Sequence, residues 1–312
     1  MDPVDGDPSA EHDVVASCAM STPDDLHLPA SLMWLNESDD GRSWLQSIPN
    51  LMTEASSRWS VNLGEPFEDS SVSVVLPADR DGDSTMALKI QFPHRESDRE
   101  ATGLQVWRGD GAIRLIDHAP DLGALLVERC VPGTHLADAG AETALPVLAN
   151  LVQRLAVSPG GPFTFLADEA LMWAENLPTM WEGAGQPFER LLLDHALELL
   201  AGLAGTQGDQ VLIHQDLHAH NVLRARREPW LAIDPKPLHG EIEFALAPII
   251  RSNELGHSRD AVLHRLDYLS RTLSVDRSRA RDWCFAQTVA WSIEGTVAFP
   301  KHLETARWLL TA

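Results

Sequence analysis

From residue 60 to residue 130 the chain is patterned for strands, and from about residue 141 onward it is patterned for helices. That change of period constrains the fold more than any other feature. "SVSVVLP" (71–77) alternates and is β-branched, and "TMALKIQF" (85–92) follows it after the turn-rich "ADRDGDS". "RESDREATGLQVWR" (95–108) has helical spacing, and "AIRLIDHAPDLGALLVERC" (112–130) reads as two strands around a Pro-Asp-Leu-Gly turn. The predicted unit is strand, strand, helix, strand, strand. After "VPG" (131–133), Leu/Ala faces such as "ALPVLANLVQRLA" and "FERLLLDHALELLAGLAG" predict helices over 141–205, and helices return over 255–312. The chain is thus expected to be α+β, with a small β-rich part over 28–130 and a larger, mainly helical part over 131–312. Residues 41–59 carry a helical face, with Pro49 marking a kink or a break between two short helices. Residues 1–27 read as a disordered lead, with Met20 as an alternative start.

Charge narrows the function classes. Asp and Glu number 46 against 24 Lys plus Arg, a formal net charge of −22. A nucleic-acid binder needs a basic footprint, so that class is set aside. An acidic field suits a cationic small molecule without requiring one. Cys18, Cys130 and Cys284 are scattered and form no CxxC pair, as expected in a reducing cytoplasm. No apolar run reaches the roughly 20 residues that span a bilayer, so no membrane role is expected. Oligomeric state is left at monomer or homodimer.

The chemistry concentrates in "HQDLHAHN" (214–221), which follows the apolar run "VLIH". If that octet were a strand, His214, Asp216, His218 and His220 would share a face and suit zinc. If it is a loop, Asp216 is placed as a base and Asn221 as a metal ligand. "WLAIDPKPL" decides between them by putting Asp234 at the end of a second apolar strand. An acid, an amide and a second acid on a strand–loop–strand hairpin is what phosphoryl transfer from ATP with Mg2+ requires. His239, His257 and His264 have no spacing that completes a zinc site. Phosphoryl transfer also calls for a strand lysine with a helix glutamate. Lys89 lies inside "MALKIQF", where burial demands a partner. Glu100 is the chosen partner and Glu96 the alternative.

With these residues in hand, "VLIHQDLHAHNVLRARREPWLAIDPKPLHGE" closely resembles the signature of aminoglycoside phosphotransferases, and in particular the streptomycin kinase and hydroxyurea phosphotransferase branch. "LGEPFE" (63–68), "LKIQFP" (88–93), "REATGLQVW" (99–107) and "GALLVERCVPG" (123–133) are similar to that branch in the same order, so the resemblance spans roughly 28–310. It implies a bilobal, protein-kinase-like fold, with a nucleotide-binding N-lobe over 28–130 and a C-lobe over 131–312 carrying the catalytic loop and substrate helices. It also implies that Asp216 is the catalytic base, that Asn221 and Asp234 hold Mg2+, and that Lys89, oriented by Glu100, contacts the α/β-phosphates of ATP. Glu128 to Cys130 would be the hinge that reads adenine through its backbone, and residues 68–73, with Ser70 and Ser71, the turn over the phosphates. His214 and His218 would brace the catalytic loop.

Three positions depart from the branch. The phosphate turn is poor in glycine and carries Glu68 and Asp69, which repel phosphate unless they point outward. Ala245 stands where the branch commonly has an Asp that accepts hydrogen bonds from the catalytic loop, and His220 where a small or acidic residue is usual. The expected acceptor is a small hydroxylated compound, of the cationic kind that an acidic field suits, with streptomycin the first choice. Hydroxyurea, another hydroxylated metabolite, or a weakly active nucleotide-binding role are the alternatives. Glu243, Glu254, Asp260, Asp267 and Glu294 are the acids that would face a cationic acceptor, with Glu294 expected to be half-buried inside "WSIEGTVAF" and Trp283 and Trp291 as possible apolar wall.

Overall fold

A computed structural model describes residues 27–312 apart from 69, 71 and 96; Ser71, Glu96, Asp69 and the lead up to residue 26 therefore lie outside the described residues. The first long helix, α1 (Asp39–Trp59), begins at Ser38, whose hydroxyl accepts from the Gly41 N–H. It runs through Pro49 as one helix, so the expected break into two short helices does not occur. Proline deletes one helical hydrogen bond, and the buried face of Trp44, Leu45, Ile48, Ala55 and Trp59 outweighs that loss.

Five antiparallel strands follow: β1 (Asn62–Leu63), β2 (Ser73–Arg80), β3 (Asp83–Gln91), β4 (Leu115–Ala119) and β5 (Ala124–Glu128), in the order β1-β2-β3-β5-β4. Helix α2 (Glu100–Trp107) connects β3 to β4. Side chains alternate across a sheet, and here each face has its own core. Val74, Leu76, Leu88, Ile90 and Leu126 pack under α1. Ala87, Leu125 and Val127 face α2 and the helices beyond. Lys89 falls on this second face, between Leu88 and Ile90.

The remaining chain is mostly helical. It comprises α3 (Ala141–Leu155), α4 (Leu166–Gly183), α5 (Arg190–Gly205), the short α6 (Ile242–Ala245) and α7 (Ala247–Ile250), then α8 (Arg259–Leu273), α9 (Arg277–Ala290) and α10 (Pro300–Leu310). Two small hairpin pairings interrupt it, β6 (Gln210–His214) with β9 (Pro237–Glu241) and β7 (Val222–Arg224) with β8 (Trp230–Ala232), and β10 (Ile293–Glu294) pairs with β11 (Val297–Ala298). Among the described residues no helix is long and apolar enough to cross a membrane.

Helix α2 is held against this part. The Trp107 indole N–H donates to Leu155 O at 2.9 Å. A Cβ on Gly103 would stand 3.0 Å from Pro237 Cγ, so glycine lets α2 settle on the start of β9.

Candidate active site

Strand β6 opens into the loop 215–221 and strand β8 into the loop 233–236. The two loops are tied at both ends: the Gln215 N–H donates to Lys236 O at 3.0 Å and the Ile233 N–H to Asn221 O at 2.9 Å. His214 bridges them. Its Nδ1 accepts from the Asp216 N–H, which fixes the proton on Nε2, and Nε2 donates to Ile233 O, both at 3.1 Å. Burial pushes the His214 imidazole down to about 4, so it is neutral and works as a two-ended clip.

Inside the first loop, Asn221 Nδ2 donates to Asp216 O at 2.8 Å, which leaves the amide oxygen as the group's available acceptor. Asp216 Oδ2 lies 3.1 Å from Lys236 Nζ, and Oδ1 lies 3.9 Å from His218 Nε2. Burial opposes ionisation of Asp216, but Lys236, with His218 and Arg251, holds it below the usual carboxylate range. His220 is exposed.

Asp234 sits at φ +51°, in the left-handed region that short polar residues tolerate best. Its Oδ1 accepts from Lys89 Nζ at 2.8 Å. The same ammonium donates to both carboxylate oxygens of Glu100, at 2.9 and 2.7 Å, and Gln91 Nε2 donates to Glu100 Oε2 at 2.6 Å. Lys89 is only 6 % exposed, so desolvation works against its charge; Asp234 and Glu100 overcome that and raise its pKa. Asp234 is held below its ordinary value, burial notwithstanding, chiefly by Lys89. Two carboxylates from distant segments thus share one buried ammonium.

The donor set beside Asp216 is an amide oxygen at Asn221 and a carboxylate at Asp234, hard oxygen ligands that fit Mg2+. Among the described residues no group of three or more His, Cys, Asp or Glu side chains is arranged to hold a metal, so the zinc alternative is not supported.

Several expected roles change. Glu128 ends β5 with its N–H already donated to Arg114 O at 2.8 Å, and the Arg129 N–H goes to Thr85 O at 2.7 Å. The Glu128 carboxylate is forked by Arg227, with Nε to Oε1 and Nη2 to Oε2 each at 2.8 Å. The N–H groups of Glu128 and Arg129 are thus engaged within the fold, and burial pushes the Cys130 thiol up to about 12. In the turn before β2, the Ser70 hydroxyl pairs with Ser73 Oγ at 2.7 Å, and Ser31 Oγ donates to the carbonyls of Glu68 and Ser70. The Glu68 side chain is exposed.

The five acids expected to face a cationic acceptor lie in different settings. Glu254 Oε1 accepts from His218 Nδ1 and from the Ala219 N–H, each at 3.2 Å, so this acid braces the catalytic loop. Asp267 is taken by Arg277 at 2.6 Å. Glu294 is exposed rather than half-buried, because the two-residue strand β10 turns it outward. Asp260 lies exposed in the first turn of α8, and Glu243 is half-buried in α6. Trp283 is fully buried and donates its indole N–H to Glu241. Trp291 lies by the cations: its ring centre is 4.6 Å from the Arg251 guanidinium and 5.9 Å from Lys236 Nζ. Arg251 and Lys236 are site residues that spacing alone left unassigned.

Residues 58–295 match the family model described as aminoglycoside/hydroxyurea antibiotic resistance kinase. Streptomycin 6-kinase of Streptomyces griseus is 35% identical over 305 residues, 93% of this chain and 99% of that protein. Hydroxyurea phosphotransferase of Kitasatospora aureofaciens is 35% identical over 275 residues, 84% of this chain and 78% of its own. In fold, the crystal structure of choline kinase LicA from Streptococcus pneumoniae superposes with a TM-score of 0.60 at 12% identity, covering 85% of this chain and 99% of that one. With its five-stranded N-terminal sheet and helical C-terminal part, the protein has the bilobal protein-kinase-like architecture, and the chain is a phosphotransferase that belongs to the aminoglycoside/hydroxyurea antibiotic resistance kinase family.

Proposed function

We propose that the protein transfers the γ-phosphoryl group of ATP to a hydroxyl of a small acceptor in the cytoplasm, an aminoglycoside of the streptomycin type being the first choice. One observation carries this reading: Lys89 Nζ is shared between Glu100 and Asp234 beside the loop that holds Asp216 and Asn221. The acceptor hydroxyl donates to the ionised Asp216, which orients it in line with the phosphoryl group and takes its proton as transfer proceeds. Asn221 Oδ1 and the Asp234 carboxylate hold Mg2+, which when bound offsets charge on the phosphates. Lys89 contacts the α/β-phosphates, the Ser70 turn covers them, and the Cys130 backbone reads adenine.

A second reading, hydroxyurea as acceptor, draws on the charge around Asp216. Lys236, paired with Asp216, and Arg251 stand there, while Glu254 is held by His218 and Ala219 and Asp267 by Arg277. An uncharged acceptor meets no repulsion from those cations. ATP consumption by the full chain, measured with streptomycin and with hydroxyurea, separates the two. Turnover is expected with at least one, and Asp216→Asn is expected to lower kcat by about 10²- to 10⁴-fold. Equal background ATP loss by wild type and variant, across a broad panel of hydroxylated compounds, would overturn the proposal.

A further inference from the structure

We infer that Glu254 is the positioning residue that fixes the catalytic loop, and that it does so from a loop whose shape Arg265 sets. This inference rests on the reading of Asp216 as the base. Within residues 214–221 most turns close on themselves: the Asp216 N–H on His214 Nδ1, Asn221 Nδ2 on Asp216 O, and the Asn221 N–H on His218 O at 2.9 Å. The Ala219 N–H is satisfied from outside instead. Ala219 is fully buried, and its amide donates to Glu254 Oε1, the same oxygen that accepts from His218 Nδ1. A buried N–H left without an acceptor costs about 1–3 kcal/mol, which a loop can escape by moving. At position 245, where an acid was expected to serve this loop, there is only a buried methyl. Burial opposes ionisation of Glu254, but the His218 hydrogen bond brings its pKa to about 2, so the acceptor carries full charge near neutrality.

The segment that carries Glu254 has no regular structure between α7 and α8, yet it is fixed from two sides. The Arg265 guanidinium, 2 % exposed, donates twice to Ile250 O, at 3.0 and 2.9 Å, and once each to Leu255 O at 3.0 Å and Gly256 O at 2.9 Å. These four hydrogen bonds are all to backbone carbonyls, and burial lowers its pKa to about 10. Burying a cation on carbonyls alone is costly, and here the return is a defined loop geometry. Arg251, on the same segment, donates to Gln287 Oε1 at 2.6 Å. The chain of support runs from α8 through Arg265 to the 250–256 carbonyls, then through Glu254 to Ala219 and His218, and so to Asp216.

The experiment compares full-length wild type, Glu254→Ala and Glu254→Gln with ATP and streptomycin, alongside amide hydrogen exchange over residues 216–221 without substrate. Glu254→Ala is expected to lower kcat by about 10- to 100-fold, as loss of a group supporting a catalytic ligand typically does, with both KM values within about threefold. Glu254→Gln keeps an acceptor oxygen for Ala219 and is expected to recover most of that loss. Exchange over 216–221 is expected to quicken in Glu254→Ala. Wild-type kcat in a folded Glu254→Ala protein would overturn the inference. So would a loss confined to the streptomycin KM, which would make Glu254 a substrate contact, or unchanged exchange. If Glu254→Ala does not fold, Glu254→Asp, which withdraws the carboxylate by one methylene, carries the kinetic test, with a loss in kcat but not in KM as the expected result and no loss as the contrary one. If wild type turns over no acceptor, the functional proposal fails while the exchange comparison still decides the role of Glu254.

Discussion

On the side of Asp216 that faces the sheet, one ammonium serves two carboxylates: Lys89 joins Glu100 on α2 to Asp234 beyond β8. On the side that faces the late helices, cations stand against the base itself: Lys236 Nζ lies 3.1 Å from Asp216 Oδ2. Lys236 and Arg251 flank Trp291, and Glu254 is already spent on the catalytic loop. The first side is a hydrogen-bonded set with one carboxylate in excess, buried at Lys89 and Glu100 and opening to solvent at Asp234. The second sets its cations against the base and against Trp291, with Lys236 on Asp216 and Arg251 on Gln287. Under the proposed function, the first side would serve the nucleotide and the second would meet the acceptor.

The largest break in this contrast is expected from Lys89→Met. It leaves Glu100 and Asp234 with no shared cation, and removing one partner of a buried ion pair costs about 3–5 kcal/mol. Urea unfolding should show that loss. Lys89→Met with Glu100→Leu should regain part of it while turnover stays absent; recovered turnover would show that the lysine does no more than balance charge.

A smaller effect concerns the clip between the loops. His214 is held near 4 against an ordinary value of 6.5. Above pH 6.5 neither folded nor unfolded chain is protonated there, and stability is full. Between 6.5 and 4 only the unfolded chain takes up the proton, so stability falls by on the order of 3 kcal/mol by pH 4. His302, also held near 4 by burial, acts in the same window. Melting temperature against pH should therefore decline below 6.5, and less steeply in His214→Asn; parallel curves for the two proteins would refute the assignment.

The smallest effect sharpens the other side. Lys236→Met removes a cation that is about a quarter exposed (27 %) beside the acceptor space. It should lower the KM for streptomycin by about two- to fivefold, the size of a partly screened charge pair, and leave that for hydroxyurea unchanged. Equal changes for both acceptors would mean that charge does not discriminate between them.

What was legible in the sequence follows the same division. The apolar run around Lys89 marked it as a buried cation in need of a partner, and the polar octet between two apolar runs pointed to a loop at Asp216 to Asn221. These are local patterns, and local patterns survive without coordinates. Glu254 braces His218 from 36 residues away, so its role depends on how α7 and α8 pack. Glu294 reads as half-buried from its apolar neighbours, yet a two-residue hairpin turns it out. Pro49 shows the opposite failure: a strong local signal for a break is overruled by the buried face of α1.

The contact of Gly103 with Pro237 couples the two partners of Lys89. Glycine 103 belongs to the helix that carries Glu100, and Pro237 begins the strand that follows the Asp234 loop. One added methyl at position 103 would act as a wedge between them, pressing Glu100 outward and the Asp234 loop in the opposite sense. The lysine would lose alignment with both carboxylates at once, so an error far from any reacting atom would be felt twice at the same ammonium.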